Sequence, residues 1–462
     1  MADADIIIIG GGPAGHAAAL RARELDASVT IIEEQQAGGN CVHHTCIPTT
    51  VLLDTIEAAA RAQEIGFAGV LNIEDGFYWN RAVARKQQFV AAMSAGIRLQ
   101  LRNRGVEFLH GRARLTAATS VHVSLSEGGE RDLSAGAGVI LATGARPSPP
   151  VIPGLSASDV LWADAALRLP VAPSSILLVA GGGAGAAFVL EFAQVFAGAG
   201  SRVTVLQPDE DLLPDDEPPL AEALAEMLRI QGIEIMTGAR IVRTSPVEGG
   251  YTFTIQAGDV IRDINAETVC SPDSRVPYFA DLGLEALGVV LAEGAVITDE
   301  HCATSVPSLY AAGDVTGPPM YSHVAAHQGR VAAAAALGEQ AAVDLRYLSR
   351  VITSQPELAT VGLTEAAAKA MGYAVRTGVA SLMTNARALA MGQRDGIIKL
   401  VADEQLGQIL GVHALGPGAA DIVGLAGLSM QLQGTVDDLA AMNPWHPTLG
   451  ESLVEAARRA TR

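Results

Sequence analysis

A strand–glycine turn–helix–strand pattern occurs twice in this chain, and it constrains the possible folds more than any other feature. The first copy runs from Ile6 to Glu33 and reads IIIIGGGPAGHAAALRARELDASVTIIE. The second copy, ILLVAGGGAGAAFVLEFAQVFAGAGSRVTVLQ, runs from Ile176 to Gln207. Both are typical of βαβ units with parallel strands. The sequence therefore predicts an α/β fold with two Rossmann-like nucleotide-binding domains.

The first copy carries a complete dinucleotide-binding pattern. Gly10, Gly12 and Gly15 form GxGxxG, in which the glycines allow a tight turn, a close backbone approach to a pyrophosphate and close packing of helix on strand. Glu33 ends the second strand, at the distance where a carboxylate accepts hydrogen bonds from a ribose diol. A glycine-rich turn without a ligand is the alternative, and the complete pattern argues against it.

The second copy is less regular. Gly181, Gly183 and Ala186 can be read as GxGxxA, but the following helix then begins about one turn later than usual. Its second strand ends in Gln207, where an acid would indicate NAD and a nearby Arg would indicate NADP. The second copy therefore does not indicate whether NAD or NADP is bound.

Between these copies, the stretch GGNCVHHTCIPTT contains a candidate redox pair. Cys41 and Cys46 are five positions apart, and we expect them to face each other across one helical turn. A thiol at a helix N-terminus is reactive because the free N–H groups stabilise its thiolate. The alternative is two small buried cysteines, like Cys270 and Cys302, which have no partner nearby in sequence.

Three further motifs carry candidate site residues. The strand VILATGARP ends in the Thr143–Gly144 turn, where backbone can meet a bound nucleotide. Asp314, after Ala-Ala-Gly at a strand end, can accept hydrogen bonds from a polyol, although capping a helix is the simpler role. Near the C-terminus, His446 precedes a proline, and Glu451 lies one helical turn beyond it, where it can orient the imidazole for acid–base work.

Composition limits the partners. The chain has 462 residues, enough for two to four domains, and a formal net charge of −19, which would repel nucleic acid and anionic membranes. The N-terminal strand is preceded by acidic residues instead of a basic signal-peptide region, and we expect a cytoplasmic protein. No metal site is predicted.

Taken together, these motifs resemble the flavin-dependent pyridine nucleotide–disulfide oxidoreductases, and within them the dihydrolipoamide dehydrogenase branch. The similarity covers nearly the whole chain, from GGGPAG and CVHHTCIP through AAGDV and PELATVGLTE to HPTLGE. It implies an FAD-binding domain (1–148), an NAD(P)-binding-like domain (149–276), a central domain that completes the FAD site (277–346) and an α+β dimerisation domain (347–462). It also implies a homodimer whose active sites are shared between subunits.

The resemblance assigns roles by position. Cys41 would exchange with substrate, Cys46 would face the flavin, and His446, oriented by Glu451, would be the base that serves the disulfide of the other subunit. Residues implied at the FAD site are Gly10, Gly12, Gly15, Glu33, Gly39, Thr143, Gly144, Asp314 and His323. Those implied at the weaker NAD(P) site are Gly181, Gly183, Glu191 and Gln207.

Departures from the family pattern concentrate on the nicotinamide side. Thr50 stands where a Lys usually pairs with the carboxylate at Glu191, and residues 273–277, DSRVP, replace the usual Thr-Gly-Arg-x-Pro. Three functions therefore stay open. The first is oxidation of a dihydrolipoyl-like or small dithiol, or of a lipoyl carrier protein, with FAD passing the electrons to NAD⁺. The second is an NAD-independent flavin dithiol oxidase in specialised metabolism, and the third is a non-catalytic dimeric subunit.

Overall fold

The structure is a computed structural model that describes residues 2–67, 77–181 and 185–461. Gly183, predicted to contribute to the second nucleotide site, lies outside these residues. The described chain forms two parallel sheets, each built around a βαβ unit, and a C-terminal antiparallel sheet with helices. The predicted α/β fold class is confirmed, whereas the exact domain boundaries stay predictions.

The N-terminal part of the chain forms most of the first sheet and its helices. Its elements are β1 (Ala4–Ile9), α1 (Pro13–Glu24), β2 (Val29–Glu33), α2 (Gly39–His43), α3 (Cys46–Phe67), α4 (Trp79–Asn103), β3 (Glu107–Ala117), β4 (Ser120–Leu125), β5 (Glu130–Leu141) and β6 (Ala145–Pro147). Strands β3, β2, β1 and β5 lie side by side and parallel, and β4 pairs antiparallel with β3 and β5. Parallel pairing of β1 with β2 through α1 confirms the first βαβ unit.

The next part contains the second βαβ unit. Its elements are β7 (Val160–Leu161), α5 (Ala163–Leu167), β8 (Ser175–Val179), α6 (Gly185–Gly198), β9 (Arg202–Leu206), α7 (Pro218–Ile230), β10 (Glu234–Met236), β11 (Ala239–Val247), β12 (Gly250–Ala257), β13 (Val260–Ala266), β14 (Thr268–Cys270) and β15 (Arg275–Pro277). The parallel sheet has the order β10-β9-β8-β14-β7, while β11, β12 and β13 form an antiparallel sheet and β15 pairs with β6.

The chain then returns to the first sheet. Its elements are β16 (Leu291–Ala292), β17 (Ala295–Val296), β18 (Leu309–Ala311) and α8 (Ser322–Ala336). Strand β18 pairs parallel with β5 and becomes an edge of the first sheet. Helix α8 packs closely on α1, since a Cβ on Gly329 would lie 2.1 Å from the Ala14 carbonyl oxygen. This packing brings the N-terminus of α8 to the same sheet edge as the first glycine turn.

The C-terminal part is a separate α+β layer. Its elements are β19 (Ser349–Ile352), β20 (Leu358–Gly362), α9 (Glu365–Ala370), β21 (Val375–Ser381), α10 (Ala386–Met391), β22 (Ile397–Asp403), β23 (Ile409–Leu415), α11 (Ala419–Gln431), α12 (Val436–Ala441) and α13 (Glu451–Ala460). The antiparallel sheet has the order β19-β20-β23-β22-β21, and the predicted α+β character is confirmed.

Apolar packing joins these layers. Strand β8, the buried aromatic residues of α6 and residues of α3 and α4 share one hydrophobic core, which connects the second sheet to the helix that begins at Cys46. In the three described stretches of the chain, no helix combines the length and the apolar character needed to cross a membrane.

Candidate active site

The candidate redox pair lies where two helix N-termini converge. Cys46 is the first residue of α3, and its sulfur is 3.3 Å from the hydroxyl of Ser322, the first residue of α8. The Thr45 hydroxyl is 3.7 Å from the same sulfur. Both cysteines are partly buried free thiols. The unpaired N–H groups of both helices and two hydroxyl donors therefore favour negative charge at Cys46.

The expectation that both cysteines lie on one helix is wrong. Cys41 lies in the short helix α2, which ends at His43, and α3 begins at Cys46. The main-chain N–H groups of His44 and Thr45 both donate to the Asn40 carbonyl, which closes α2. The break places Cys46 at a helix N-terminus, and Pro48 is tolerated in the first turn because its missing N–H would have no helical partner there.

The two thiols have opposite acidities. A hydrogen bond from the Cys41 thiol, then those from Ser322 and Thr45, then the nearby Arg275, lower the pKa of Cys46, although burial opposes them. The hydrogen bond to Cys46 and burial raise the pKa of Cys41. In the dithiol state, these contacts favour the thiolate at Cys46 and the protonated thiol at Cys41.

Three glycines at the first glycine turn have no room for a side chain. Gly10 has a φ of 110°, and a Cβ there would lie 2.2 Å from the Ala142 carbonyl oxygen. A Cβ on Gly15 would lie 1.9 Å from the Gly10 carbonyl oxygen, so helix α1 packs directly on the turn. Gly39, at the start of α2, faces Gly12: a Cβ on Gly39 would be 2.7 Å from the Gly12 Cα. The redox segment therefore lies against the first glycine turn.

Two carboxylates border this turn. Glu33 accepts hydrogen bonds from the main-chain N–H groups of Gly11 (2.6 Å) and Gln35 (2.7 Å), and burial raises the pKa of its carboxyl. Asp314 lies 3.7 Å from the Arg275 Nε, and burial raises its pKa against the opposing effect of Arg275. Each carboxylate retains free lone pairs that can accept hydrogen bonds from hydroxyl groups.

The remaining predicted FAD residues lie in different surroundings. The Thr143 hydroxyl donates to the Tyr278 carbonyl, whereas Gly144, with a φ of 70°, has no atom within 4 Å of a Cβ position. His323 is exposed, contacts the Ser349 carbonyl at 3.1 Å and stacks on Tyr321. Its neighbour Ser322, and not His323, is the α8 residue that reaches Cys46.

His446 and Glu451 form the predicted pair. The His446 Nδ1 is 3.0 Å from a Glu451 carboxylate oxygen, and the other oxygen accepts the Thr448 N–H at 2.8 Å. The hydrogen bond from Thr448 and then that from His446 lower the pKa of Glu451. The His446 side chain is 69% exposed, and in the described part of this one chain it makes no contact with Cys41 or Cys46. An exposed His oriented by a carboxylate is available to a second copy.

The histidines between the cysteines point in different directions. The His43 Nε2 is 2.9 Å from the Ala37 carbonyl oxygen, so His43 is hydrogen-bonded within its own segment. The His44 Nδ1 lies 3.4 Å from an Asp164 carboxylate oxygen, and its ring packs against Trp162. His44 thus contacts the segment at the start of α5.

In the second glycine turn, the surroundings differ from those of the first. Gly181 donates its N–H to the carboxylate of Asp273 at 3.1 Å, and burial raises the pKa of Asp273 to about 6. Gln207 is fully buried; its amide nitrogen donates to Asp209 at 2.9 Å, and its amide oxygen has no hydrogen-bond partner among the residues that the structure describes. An acid therefore lies at the turn itself, and a neutral amide lies at the strand end.

Glu191, the seventh residue of α6, is buried and has neutral donors. Its carboxylate accepts hydrogen bonds from the Thr353 N–H and hydroxyl, both at 2.8 Å. Burial, reinforced by the nearby Cys46, raises its pKa to about 7 against these hydrogen bonds. Thr50, at the position of the missing Lys, is exposed. Thr353 therefore supplies the hydrogen bonds that Glu191 makes in the absence of a cation.

Comparisons with known proteins agree with this arrangement. The model of the pyridine nucleotide-disulphide oxidoreductase family matches residues 4–329, and that of its dimerisation domain matches residues 348–457. Dihydrolipoyl dehydrogenases from Chlorobaculum parvum and Bacillus subtilis are 34% and 32% identical to this chain; each match covers 98% of this chain and 96% or 97% of the relative. The crystal structure of LpdA from Mycobacterium tuberculosis superposes with a TM-score of 0.89 at 29% identity, covering 98% of this chain and 99% of that one.

The chain belongs to the pyridine nucleotide-disulphide oxidoreductase family. It is a flavoprotein disulfide oxidoreductase similar to dihydrolipoyl dehydrogenases. Membership implies binding of FAD and a pyridine nucleotide, and the dimerisation domain supports a homodimer.

The first glycine turn fits the FAD that the oxidoreductase family implies. Gly144 borders open space, Gly12 and Gly39 leave backbone exposed to a ligand, and the buried carboxylates of Glu33 and Asp314 retain free acceptor positions. These groups suit ribose and polyol hydroxyls, and the N-terminus of α1 suits a pyrophosphate.

Sequence reasoning missed two residues of this oxidoreductase site. The sequence motifs give no role to Ser322, and they contain Arg275 only within residues 273–277, DSRVP. Arg275, the first residue of β15, connects that strand to the segment before α8, since it donates to the Met320 carbonyl and forms an ion pair with Asp314. No sequence signal places either residue beside Cys46, because both contacts depend on the return of the chain to the first sheet.

Proposed function

We propose that this oxidoreductase oxidises a small or dihydrolipoyl-like dithiol through Cys41 and Cys46, and that bound FAD passes the electrons to NAD⁺. A lipoyl group on a carrier protein is the proposed physiological form of such a dithiol. The observation that carries the proposal is the Cys41–Cys46 pair, with Cys46 at two helix N-termini and the whole segment against the FAD turn.

In the proposed reaction, Cys41 and Cys46 begin as a disulfide. A substrate thiolate attacks the Cys41 sulfur, the Cys41–Cys46 bond breaks, and Cys46 leaves as a thiolate. The second substrate thiol then attacks the sulfur bound to Cys41, which releases the substrate as a disulfide and Cys41 as a thiol. The substrate loses two electrons and two protons. The cysteine pair gains the two electrons, Cys41 takes one proton, and the other goes to the base that deprotonates the attacking substrate thiol.

The acidities of the two cysteines support this order. A low pKa makes Cys46 the better leaving group, because thiol–disulfide exchange is faster when the departing sulfur forms a stable thiolate. Cys41 holds its proton and does not compete for the negative charge. When bound, FAD would supply a two-electron acceptor for the Cys46 thiolate.

His446 is the proposed base. Only a thiolate attacks a disulfide, so a base that removes the substrate proton raises the rate. Glu451 accepts from one ring nitrogen, which holds the imidazole in one orientation and leaves the Nε2 available for the substrate proton. We propose that His446 acts on the Cys41–Cys46 pair of a second copy, because its side chain is exposed and lies apart from the cysteines of its own chain.

Anaerobic reduction of the FAD-loaded enzyme by dihydrolipoamide tests the proposal. We expect a rapid change in flavin absorbance for the wild type and a loss of about 1,000-fold or more in its rate for Cys41→Ser, with FAD retained. Cys302→Ser is the matched control, because that thiol is buried, donates to the Gln328 carbonyl instead of contacting Cys41 or Cys46, and its replacement should leave the rate unchanged. A Cys41→Ser variant as fast as the wild type would refute dithiol exchange at this pair.

A second candidate differs in the electron acceptor. The carboxylate of Asp273 at the second glycine turn favours a dithiol oxidase that transfers electrons to O₂ or another acceptor in place of NAD⁺. Oxygen uptake with dihydrolipoamide, measured with and without NAD⁺, separates the two. Turnover that requires NAD⁺ supports the first candidate, and oxygen uptake that is independent of NAD⁺ supports the second.

A further inference from the structure

Strands β6 and β15 form a two-stranded antiparallel ribbon that lies beside the redox segment, residues 38–50. Pro277 on β15 pairs with Ala145 on β6. The side-chain amide of Asn40 donates to the Ala145 carbonyl at 2.6 Å, and Asn40 directly precedes Cys41 in helix α2. The β6–β15 ribbon is therefore attached to the segment that carries the redox pair.

Arg275, the first residue of β15, attaches the same ribbon to the start of helix α8. Its guanidinium donates to the Met320 carbonyl, two residues before Ser322. The Ser322 hydroxyl lies 3.3 Å from the Cys46 sulfur. The β6–β15 ribbon thus contacts α2, which precedes α3, and the segment that precedes α8. These contacts connect the ribbon to both helices whose N-termini converge at Cys46.

Arg275 also brings positive charge close to acidic side chains at the redox pair. Its Nε lies 3.7 Å from a carboxylate oxygen of Asp314, and its side chain is only 22% exposed. Arg275 and Glu191, on α6, both lie within electrostatic range of Cys46. Asp314 lies within electrostatic range of Cys41. Loss of the guanidinium charge would leave two carboxyl groups near the thiols and would disfavour a thiolate there.

We propose that Arg275 is a positioning residue for the redox pair: it holds the start of α8 against Cys46, and its positive charge favours the Cys46 thiolate. This proposal deepens the proposed function, on which it rests, because Cys46 is there the thiol that leaves as a thiolate. The bond to the Met320 carbonyl fixes the guanidinium, and its low exposure limits the screening of its charge by water. Asp273 lies within electrostatic range of the guanidinium, but its carboxylate accepts the Gly181 N–H.

Alkylation of Cys46 in the FAD-loaded dimer tests the proposal. Every protein carries Cys41→Ser, and labelling is followed across a range of pH on the peptide that contains Cys46. We expect Arg275→Gln to move the midpoint of the rate–pH profile up by about one pH unit, because a neutral side chain no longer favours the thiolate. Arg146→Gln is the matched control, since Arg146 is exposed on β6, packs over the Tyr278 ring and should leave the midpoint unchanged when replaced.

Two further variants separate the charge of Arg275 from its shape. Arg275→Met is a second neutral variant and should give the same shift, whereas Arg275→Lys keeps the charge and should recover at least about half of it. FAD content and the thermal midpoint are measured for each variant. The proposal would be overturned by an unmoved midpoint in a neutral variant that retains FAD, by a midpoint for Arg275→Lys as high as for Arg275→Gln, or by loss of FAD from both neutral variants. The titration uses no dithiol, so its outcome is independent of the dihydrolipoamide experiment.

Discussion

The two βαβ units of this enzyme have the same strand pairing but different chemistry at their glycine turns. Ile9 and Val179 end β1 and β8, so Gly10 corresponds to Ala180 and Gly11 to Gly181. In the first unit, the Gly11 N–H is bound by Glu33, the last residue of β2. In the second unit, the Gly181 N–H is bound by Asp273, which follows β14, and the neutral Gln207 follows β9. The strand pairing is thus preserved, while the carboxylate at the turn comes from a different strand end.

This difference teaches that a βαβ unit indicates a nucleotide site only together with the side chains at its strand ends. The second unit still has a structural role, because its helix α6 fills the core shared with α3, and Glu191 on that helix lies within electrostatic range of Cys46. Retention of the unit therefore does not require tight nucleotide binding.

The largest effect is expected when the first glycine turn receives the alanine that the second turn has at the matching position. Gly10→Ala copies Ala180, but its Cβ would lie 2.2 Å from the Ala142 carbonyl oxygen at a φ of 110°. We expect loss of at least about nine-tenths of the bound FAD, because both the clash and the φ value displace the turn. Gly181→Ala is the control, since its nearest contact is the movable Asp273 carboxylate at 3.1 Å. Flavin absorbance of the purified proteins measures the effect, and equal FAD contents would contradict the expectation.

An intermediate effect is expected at Glu191 on the second unit. Its pKa in the folded protein, about 7, lies above the ordinary value of 4.5, so folding favours the protonated form. The charged form therefore costs stability that is absent below pH 4.5, grows as the pH rises from 4.5 to 7, and is complete above pH 7. At about 1.4 kcal/mol per pH unit, the full cost is on the order of 3 kcal/mol.

Glu191→Gln should remove this cost. We expect a thermal midpoint several degrees above that of the wild type at pH 8 and little difference at pH 4.5, measured by calorimetry on the FAD-loaded enzyme. The exposed Glu222→Gln on α7 is the control and should show no such dependence on pH. A gain that is the same at both pH values would mean that the charge of Glu191 is not its cause.

The smallest effect is expected on the thiol side, at Ser322. Its hydroxyl is one of several groups that hold the pKa of Cys46 at about 6, so Ser322→Ala should raise that pKa. With Cys41→Ser in both proteins, where the introduced hydroxyl can still donate to Cys46, the alkylation rate of Cys46 at pH 6 should fall about threefold, and the difference should disappear as the pH rises and Cys46 ionises in both proteins. Ser126→Ala, on an exposed turn, should leave the rate unchanged. A slower rate that persists at pH 9 would indicate a change in access to Cys46 instead of a change in its pKa.

Local patterns predicted much of this molecule. Both βαβ units, the C-terminal α+β layer and the His446–Glu451 pair follow from short sequence motifs, because the interacting residues lie within a few helical turns or adjacent strands. The break between α2 and α3 was missed, since it depends on the Asn40 carbonyl receiving two N–H groups instead of continuing a helix. Ser322, Arg275 and the contact between Asp273 and Gly181 were also missed, because they join segments between about 40 and 280 residues apart, which helical and strand periodicity cannot pair.

The contact between Gly12 and Gly39 has a consequence for protein engineering. Because a Cβ on Gly39 would lie only 2.7 Å from the Gly12 Cα, the first glycine turn and the redox segment form one unit that must be inherited or transplanted together. Directed evolution toward a new thiol substrate should therefore accept changes at the exposed Trp445, which precedes the proposed base His446, more readily than changes at residues 38–40. The surface beside the proposed base is thus open to variation, whereas the contact between the redox segment and the first glycine turn is not.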